Sequence, residues 1–416
     1  MKYSIITFGC RVNQADSLAI ARDLRARGAV ETPPQYAELV VVNTCSVTAA
    51  ADQGVRQTVR RVVRDNPGVR VVVTGCYATR RPDEIRELPN ILHVVSNDEK
   101  DDLVARLASE IGLPRLDDVT TAVRFGNGDG PCGDTLSPGA AGRTALTLRV
   151  QTGCDQTCSY CIIPTTRGKG RSRPLAAVIR QIEDAVASGY REIAIAGVHL
   201  GSYGRDLADE TSLTMLVRAL AEWDGDVLFR ISSLEPMDCT PEIVDLVASS
   251  PRLAPHFHLP LQHGSNEILR AMRRPYTATA YVVLVSSIRS RMPHASIGSD
   301  VIVGFPGESS THFAETETVL RDLPLTHLHV FPYSDRPGTA ASRLGGRVDG
   351  AVVRDRGRRI RDTGHEMATR FRQSQFGATR RALTVDDGWS AVTDNYLKVK
   401  LGQRHSRNEW TDVRID

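Results

Sequence analysis

Strand-like and helix-like segments alternate along this chain in two separate runs, and no other feature restricts the fold as much. In the first run, Tyr3–Phe8, Leu39–Val42, Val69–Thr74 and Ile91–Val95 are short apolar stretches of the kind that become buried parallel strands. Gln14–Arg27, Ala50–Arg64, Pro82–Leu88 and Asp98–Ile111 lie between and after them with helical spacing, and Gly28 and Asn66-Pro67-Gly68 act as stops. This predicts an α/β domain with a doubly wound parallel sheet over residues 1–113. The stretch Phe125–Gly142 is rich in Gly, Pro, Asp and Asn and lacks periodicity, so 114–139 is expected to be a linker.

The second run begins at Thr144. Its expected strands are Leu146–Val150, Glu192–Ala196, Leu228–Ile231, His256–Leu259, Ser296–Val303 and His327–Phe331. The helices between them include Leu175–Ser188, Leu213–Glu222, Pro241–Ser249, Tyr276–Met292 and Thr311–Leu323. Six consecutive βα units predict a partial (β/α)6 barrel over 140–371. The tail alternates in β fashion at Ala382–Val385, Tyr396–Val399 and Thr411–Ile415, which predicts a small C-terminal β-barrel over 372–416. A β-barrel that short needs a neighbour to pack against.

Composition narrows the class. The 416 residues are 41% hydrophobic and 24% charged, values of a globular chain with a full core. The net charge of +3 comes from 52 basic against 49 acidic residues, so a nucleic-acid site must arise from local clustering. The eight cysteines are too sparse for a disulfide scaffold. Met1–Cys10 has no signal-peptide pattern, and no apolar run approaches the ~20 residues of a membrane span. The expected compartment is cytoplasmic, where patterned cysteines point to metal or redox chemistry.

Six of the cysteines form two patterns. Cys154, Cys158 and Cys161 make C-x3-C-x2-C directly after an expected strand. Three thiolates on one loop can hold three irons of a [4Fe–4S] cluster and leave the fourth iron open. A zinc site completed by His199 or His258 is the alternative. Cys10, Cys45 and Cys76 are distant in sequence, yet each sits just past an expected strand, and parallel strand ends converge on one crevice. They suit a second three-thiolate cluster, against the alternative of three buried thiols. Cys132 and Cys239 fit neither pattern and are read as non-ligands.

The C-x3-C-x2-C spacing resembles the radical SAM signature. With Phe8–Ser17 (FGCRVNQADS) and the small β tail, nearly the whole chain resembles the methylthiotransferases, whose tail is an RNA-binding TRAM domain matched best by Thr393-Asp394-Asn395-Tyr396. Gly153–Pro174, Gly197–Leu207, Arg230–Pro236 and Val330–Ala340 look like the MtaB-type tRNA branch. One departure is Gln262-His263-Gly264, where the family usually shows Gln-Ser-Gly. The resemblance implies two [4Fe–4S] clusters and S-adenosylmethionine. One cluster yields a 5′-deoxyadenosyl radical and the other docks sulfur, so that C2 of N6-threonylcarbamoyladenosine at tRNA position 37 receives a methylthio group. That carbon is not acidic enough for a side-chain base.

Candidates for S-adenosylmethionine contact are Gly197, Ser232, Glu235, Gln262, Ile302 and Gly304, all at expected strand ends. Asp300 and Glu308 suit caps or solvated charges. Arg167, Lys169, Arg171 and Arg173 follow the cysteine loop. Between Arg354 and Arg381 nine arginines face Asp355, Asp362 and Glu366, a surplus of six that predicts phosphate binding to a tRNA anticodon loop. The expected partners are that tRNA and an electron-donor protein, with no membrane and no stable protein partner. Rival readings are isopentenyladenosine tRNA or a ribosomal protein as substrate, or a non-catalytic RNA-binding metalloprotein.

Overall fold

The computed structural model describes residues 1–114, 138–139 and 144–416. The expected linker and Cys132 fall almost wholly outside the described residues. No helix among them is long and apolar enough to cross a membrane. By contacts the chain divides into two compact units. The first is Met1–Leu136 with two later segments, Gly153–Asp155 and Cys161–Lys169; the second holds the remainder.

In the first unit, strands β1 (Lys2–Thr7), β2 (Val30–Glu31), β3 (Leu39–Thr44), β4 (Arg70–Gly75) and β5 (Ile91–Val95) form one parallel sheet in the order β2-β1-β3-β4-β5. The β3 side chains are buried along its whole length, because helices cover both faces. Helix α1 (Arg11–Ala26) closes one core through Ile20, Ala21 and Leu24. Helix α2 (Ala49–Asp65) closes the other through Val55, Val59 and Val62. The helices α3 (Cys76–Arg80) and α4 (Pro82–Arg86) follow β4. The expected helix Asp98–Ile111 is reduced to a 3-10 turn, Lys100–Asp102, and α5 (Leu103–Leu107). Lys100 is drawn inward to Asp16, which displaces the first turn from a regular surface helix.

The second unit starts with β6 (Leu146–Arg149) and a short antiparallel pair, β7 (Gln151–Thr152) and β8 (Arg171–Ser172). Strands β9 (Glu192–Ala196), β10 (Leu228–Ile231), β11 (His256–His258), β12 (Ser296–Val303) and β13 (His327–Pro332) follow. The pairings run β10-β9-β6 and β11-β12-β13, all parallel, and bridges Phe229–Leu253 and Ser233–His258 join β10 to the next strand. All six strands of the expected partial barrel are present. The outer faces of these strands pack one large core: Leu148, Ile193, Ile195, Phe229, Ile231, Phe257, Ile297, Val301 and Val303 belong to it. Successive side chains alternate, so Arg149, Glu192, Arg230, His256, His258, Asp300 and His329 occupy the inner face. That face is polar, unlike a barrel filled by branched apolar side chains.

The tail has strands β14 (Thr379–Val385), β15 (Ser390–Thr393), β16 (Lys398–Lys400) and β17 (Trp410–Arg414) in an antiparallel sheet ordered β16-β15-β14-β17. Ser390–Thr393 carries too little apolar side chain to stand out in sequence. The turn Asp394–Tyr396 packs on the barrel. Asn395 is fully buried and donates to the His294 carbonyl (2.9 Å) and to Gln375 Oε1 (3.0 Å). Tyr396, at φ 71°, lies 4.9 Å from the His256 ring and under the Arg230 guanidinium at 4.7 Å. Thus the stretch best matched to an RNA-binding motif anchors the tail to the barrel. Replacing Asn395 by Ala leaves buried carbonyls without donors, and is expected to cost about 1–3 kcal/mol, read as a lower urea midpoint at unchanged slope.

Candidate functional site: two cysteine sets and their surroundings

Cys10, Cys45 and Cys76 come together in the first unit. Cys10 is the N-cap of α1, Cys45 follows β3, and Cys76 opens α3. Burial pushes the Cys45 thiol up to about 11, with Cys76 and Cys10 close enough to add to the rise. Two local devices bring the thiols together. A Cβ on Gly9, at φ +93°, would lie 2.7 Å from Cys45 Sγ, so only glycine admits this approach. The Thr44 hydroxyl donates to the Thr74 carbonyl (2.6 Å) and accepts the first amides of α3, Tyr77 N (3.1 Å) and Ala78 N (3.2 Å). It thereby ties the chain before Cys45 to the helix that Cys76 begins.

A buried polar network backs these thiols. Asp16, whose side chain is fully buried, lies 3.0 Å from Lys100 Nζ and 3.0 Å from Arg167 Nη2. Arg167 also donates to Asn13 Oδ1, and Lys100 to Asn43 Oδ1 at 3.0 Å. Asn13 in turn donates to the Phe8 carbonyl (2.7 Å) and the Thr44 carbonyl (2.9 Å), the residues that lead into Cys10 and Cys45. One carboxylate therefore meets two cations. Burial lowers the Lys100 ammonium, and Asp16 with the nearby Cys76 opposes that. For Arg167 burial is outweighed by Asp16, Cys76 and Cys10, which hold its guanidinium higher still. The positive excess faces the thiols and suits thiolate ligands, as does the α1 N-terminus at Cys10. Three converging thiols with this charge fit a three-thiolate iron–sulfur cluster. Sequence reasoning missed Asn13, Asp16, Asn43, Thr44 and Lys100; the sequence clue was FGCRVNQADS itself, which carries Asn13, Asp16 and Ser17. It also read Arg167 as a phosphate contact, which a 2% exposed side chain locked to Asp16 does not support.

The second cysteine set lies on the loop after β7. Gly153, at φ +73°, would place a Cβ 1.9 Å from the Lys169 carbonyl, and Cys154 N donates to the Gly168 carbonyl (3.0 Å). Cys161 Sγ accepts from Ile163 N at 3.4 Å, at the start of α6 (Ile163–Arg167). Cys158 belongs to the second unit, where Arg274 Nη1 donates to its sulfur at 3.1 Å and the same guanidinium pairs with Glu235. Its neighbour Ser159 is pinned to the Met272 and Ala271 carbonyls at 3.0 and 2.8 Å. Arg274 went unnoticed in sequence because nothing local marks it. The C-x3-C-x2-C spacing of this loop suits a cluster, and Cys158 already receives a guanidinium. The two histidines weighed as zinc ligands are otherwise engaged, His199 with Asp238 (2.9 Å) and His258 with Asp300 (3.1 Å). Cys239 is buried, which pushes its thiol up to about 12.

The remaining candidates occupy the C-terminal strand ends. The space at Gly197 is taken by Gln151, whose Oε1 accepts from Val198 N (3.0 Å) and His199 N (2.9 Å). Ser232 is buried and its amide pairs with the Ile195 carbonyl (3.0 Å). Gln262, at φ 66°, bridges the Asp300 carbonyl and the Ile302 amide. Ile302 packs with Ile268, Met272 and Phe305. Gly304 would clash with Val353 at 2.4 Å if it bore a Cβ. Asp300 and Glu308 are not solvated charges: Asp300 binds two imidazoles, and Glu308 receives Phe305 N (3.1 Å) and Arg356 (3.1 Å).

The arginine surplus is also smaller in space than in sequence. On the helix Gly350–Ser374, Arg356 is buried against Glu308, and Arg359 pairs with Glu317. Arg380 pairs with Asp394 at 2.6 Å, and Arg381 with Asp226 at 2.5 Å. Arg354, Arg361 and Arg370 are exposed and carry no ion pair among the described residues. The Asp16 network gives a direct check: Asp16→Asn leaves two buried cations facing each other. It is expected to lower unfolding free energy by about 3–5 kcal/mol in urea titrations. A loss below about 1 kcal/mol would show that water already screens the pair.

Comparison with known proteins agrees with this architecture. Residues 2–96 match an uncharacterized protein family, UPF0004, and residues 148–320 match the Radical SAM superfamily. A threonylcarbamoyladenosine tRNA methylthiotransferase of Aquifex aeolicus is 35% identical over 96% of each chain. A tRNA-2-methylthio-N(6)-dimethylallyladenosine synthase of Parafrankia is 33% identical over 93% of this chain and 78% of its own. Among solved structures, the radical S-adenosylmethionine methyltransferase TsrM of Kitasatospora setae shares the fold at a TM-score of 0.58 and 17% identity, over 82% of this chain and 76% of that one. The superfamily brings S-adenosylmethionine and a [4Fe–4S] cluster as cofactors. With cysteine sets at two separate strand-end loops and a relative of this identity across nearly its full length, the chain belongs to the radical SAM tRNA methylthiotransferase family.

Proposed function

We propose that this enzyme adds a methylthio group to C2 of N6-threonylcarbamoyladenosine at position 37 of tRNA, in the cytoplasm. The observation that carries the reading is the convergence of Cys10, Cys45 and Cys76 beside the buried Asp16–Lys100–Arg167 network, a second thiolate site apart from Cys154, Cys158 and Cys161. The substrate reading is supported by the 35% identity with the Aquifex methylthiotransferase. Residues 1–113 then hold the auxiliary [4Fe–4S] cluster, 140–371 form the radical SAM core, and 372–416 are a TRAM-like RNA-binding segment joined through 114–139. An electron-donor protein is a transient partner.

When bound, the two clusters and S-adenosylmethionine supply the radical chemistry at C2 and the sulfur that is transferred. The protein's residues position and shield these groups. Cys154, Cys158 and Cys161 hold one cluster, and Arg274 fixes Cys158 while orienting Glu235. Gly197, Ser232, Glu235, Gln262, Ile302 and Gly304 sit at the strand ends where the cofactor is held. Lys100 and Arg167 offset the negative charge at Cys10, Cys45 and Cys76. Arg354, Arg361 and Arg370 are among the exposed cations that can meet phosphates.

Mass spectrometry of tRNA nucleosides from a deletion strain is expected to show loss of 2-methylthio-N6-threonylcarbamoyladenosine; its persistence would sink the substrate reading. Cys10→Ala is expected to retain S-adenosylmethionine cleavage, lose methylthiolation and halve the iron content after anaerobic reconstitution. If cleavage disappears as well, the two sites do not act separately. Changing Arg354, Arg361 and Arg370 together to Glu is expected to weaken tRNA binding and reduce the log–log salt slope by about 2. An unchanged slope would place the tRNA elsewhere.

A further inference from the structure

The inner face of the half-barrel carries a cluster that the cysteine sites do not use. Asp300, on β12, accepts from His258 Nε2 on β11 at 3.1 Å and from His329 Nδ1 on β13 at 3.1 Å. An ionised carboxylate only accepts, so both imidazoles turn an N–H toward the same oxygen. The Asp300 carboxyl is held down at about 2: burial opposes this, and the two histidines override it. His258 is fixed from behind by the Ser233 hydroxyl at 3.1 Å. His327 lies beside both rings, with centroids 6.4 and 5.6 Å away, lodged over Gly298 where a Cβ would come within 2.0 Å of its Nε2. The His329 side chain is 56% exposed, although Leu328 and Val330 on the same strand turn into the core.

The family to which this chain belongs includes two kinds of substrate side chain. A threonylcarbamoyl group ends in a carboxylate and a hydroxyl; a dimethylallyl group is apolar. An apolar group against this wall would remove water from the exposed His329 ring and give it no new polar partner, a desolvation penalty with no compensating hydrogen bond. An anionic group would meet an exposed imidazole that Asp300 already orients. Sites built to hydrogen-bond a substrate group reject analogues lacking it far more strongly than apolar pockets reject extra polar groups.

We propose that His329, oriented by Asp300 and with His258 braced on the same carboxylate, is the specificity residue that reads the anionic N6 substituent of the target adenosine. This rests on the threonylcarbamoyladenosine reading. The test uses cluster-loaded full-length enzyme and synthetic anticodon stem-loops carrying threonylcarbamoyladenosine, its methyl ester or dimethylallyladenosine. Wild type is expected to prefer the free acid over the ester at least ten-fold in kcat/KM. His329→Ala is expected to raise KM for the acid ten-fold or more and to abolish the acid-over-ester preference, with Tm and iron content unchanged. His329→Arg, which places a cationic donor at the same position, is expected to recover the preference. An unchanged acid-to-ester ratio in His329→Ala overturns the assignment. So does a preference that vanishes when a chelator strips a divalent metal from the histidines while both clusters stay intact. Wild type that turns over only the dimethylallyl loop overturns the substrate reading itself, a result distinguishable from failure of His329 alone.

Discussion

The first unit depends on one buried carboxylate. Asp16 has no water to solvate it, so its charge must be met inside the protein, and Lys100 and Arg167 meet it from two distant parts of the chain. Asn13 and Asn43 satisfy the remaining donors and acceptors and reach the backbone just before Cys10 and Cys45. The result is a rigid, cationic support under three thiols. Arg167 makes the support also a tether, because it fastens the segment just after Cys161 to the same carboxylate.

In the second unit the same logic runs on the inner strand faces. Apolar side chains on the outer faces build the core with the helices, which leaves the alternate positions free to be polar. Arg230 pairs with Glu192 at 3.0 Å and is capped by Tyr396, so one part of this face is occupied by the tail's own turn. The Asp300 cluster remains, with an exposed imidazole. The tail contributes to the packing of this polar inner face as well as carrying exposed residues of its own.

Much of this was legible in the linear pattern. The six barrel strands and the five-stranded sheet, apart from the two-residue edge strand Val30–Glu31, stand out as apolar runs with regular spacing, because burying a sheet demands that spacing. The three strand-end cysteines of the first unit were also readable, since strand ends in a parallel sheet converge whatever the loops do. Partners drawn from far apart were not readable. Lys100 fell in the first turn of the expected helix Asp98–Ile111, Arg167 was read as a phosphate ligand and Arg356 as part of a basic stretch; each is buried on an acidic partner.

The order of residues sets the layout: which segments are strands, which cysteines flank them, and hence that two thiolate sites are possible on one chain. How the charges are paired emerges from the folded chain alone. A count of arginines cannot tell an exposed guanidinium from one neutralised by a carboxylate more than a hundred residues away. Long-range ion pairs obey distance in space, and nothing in local periodicity records that distance. Arg167 beside Asp16, Arg274 on Cys158, and two histidines sharing Asp300 all belong to that second category.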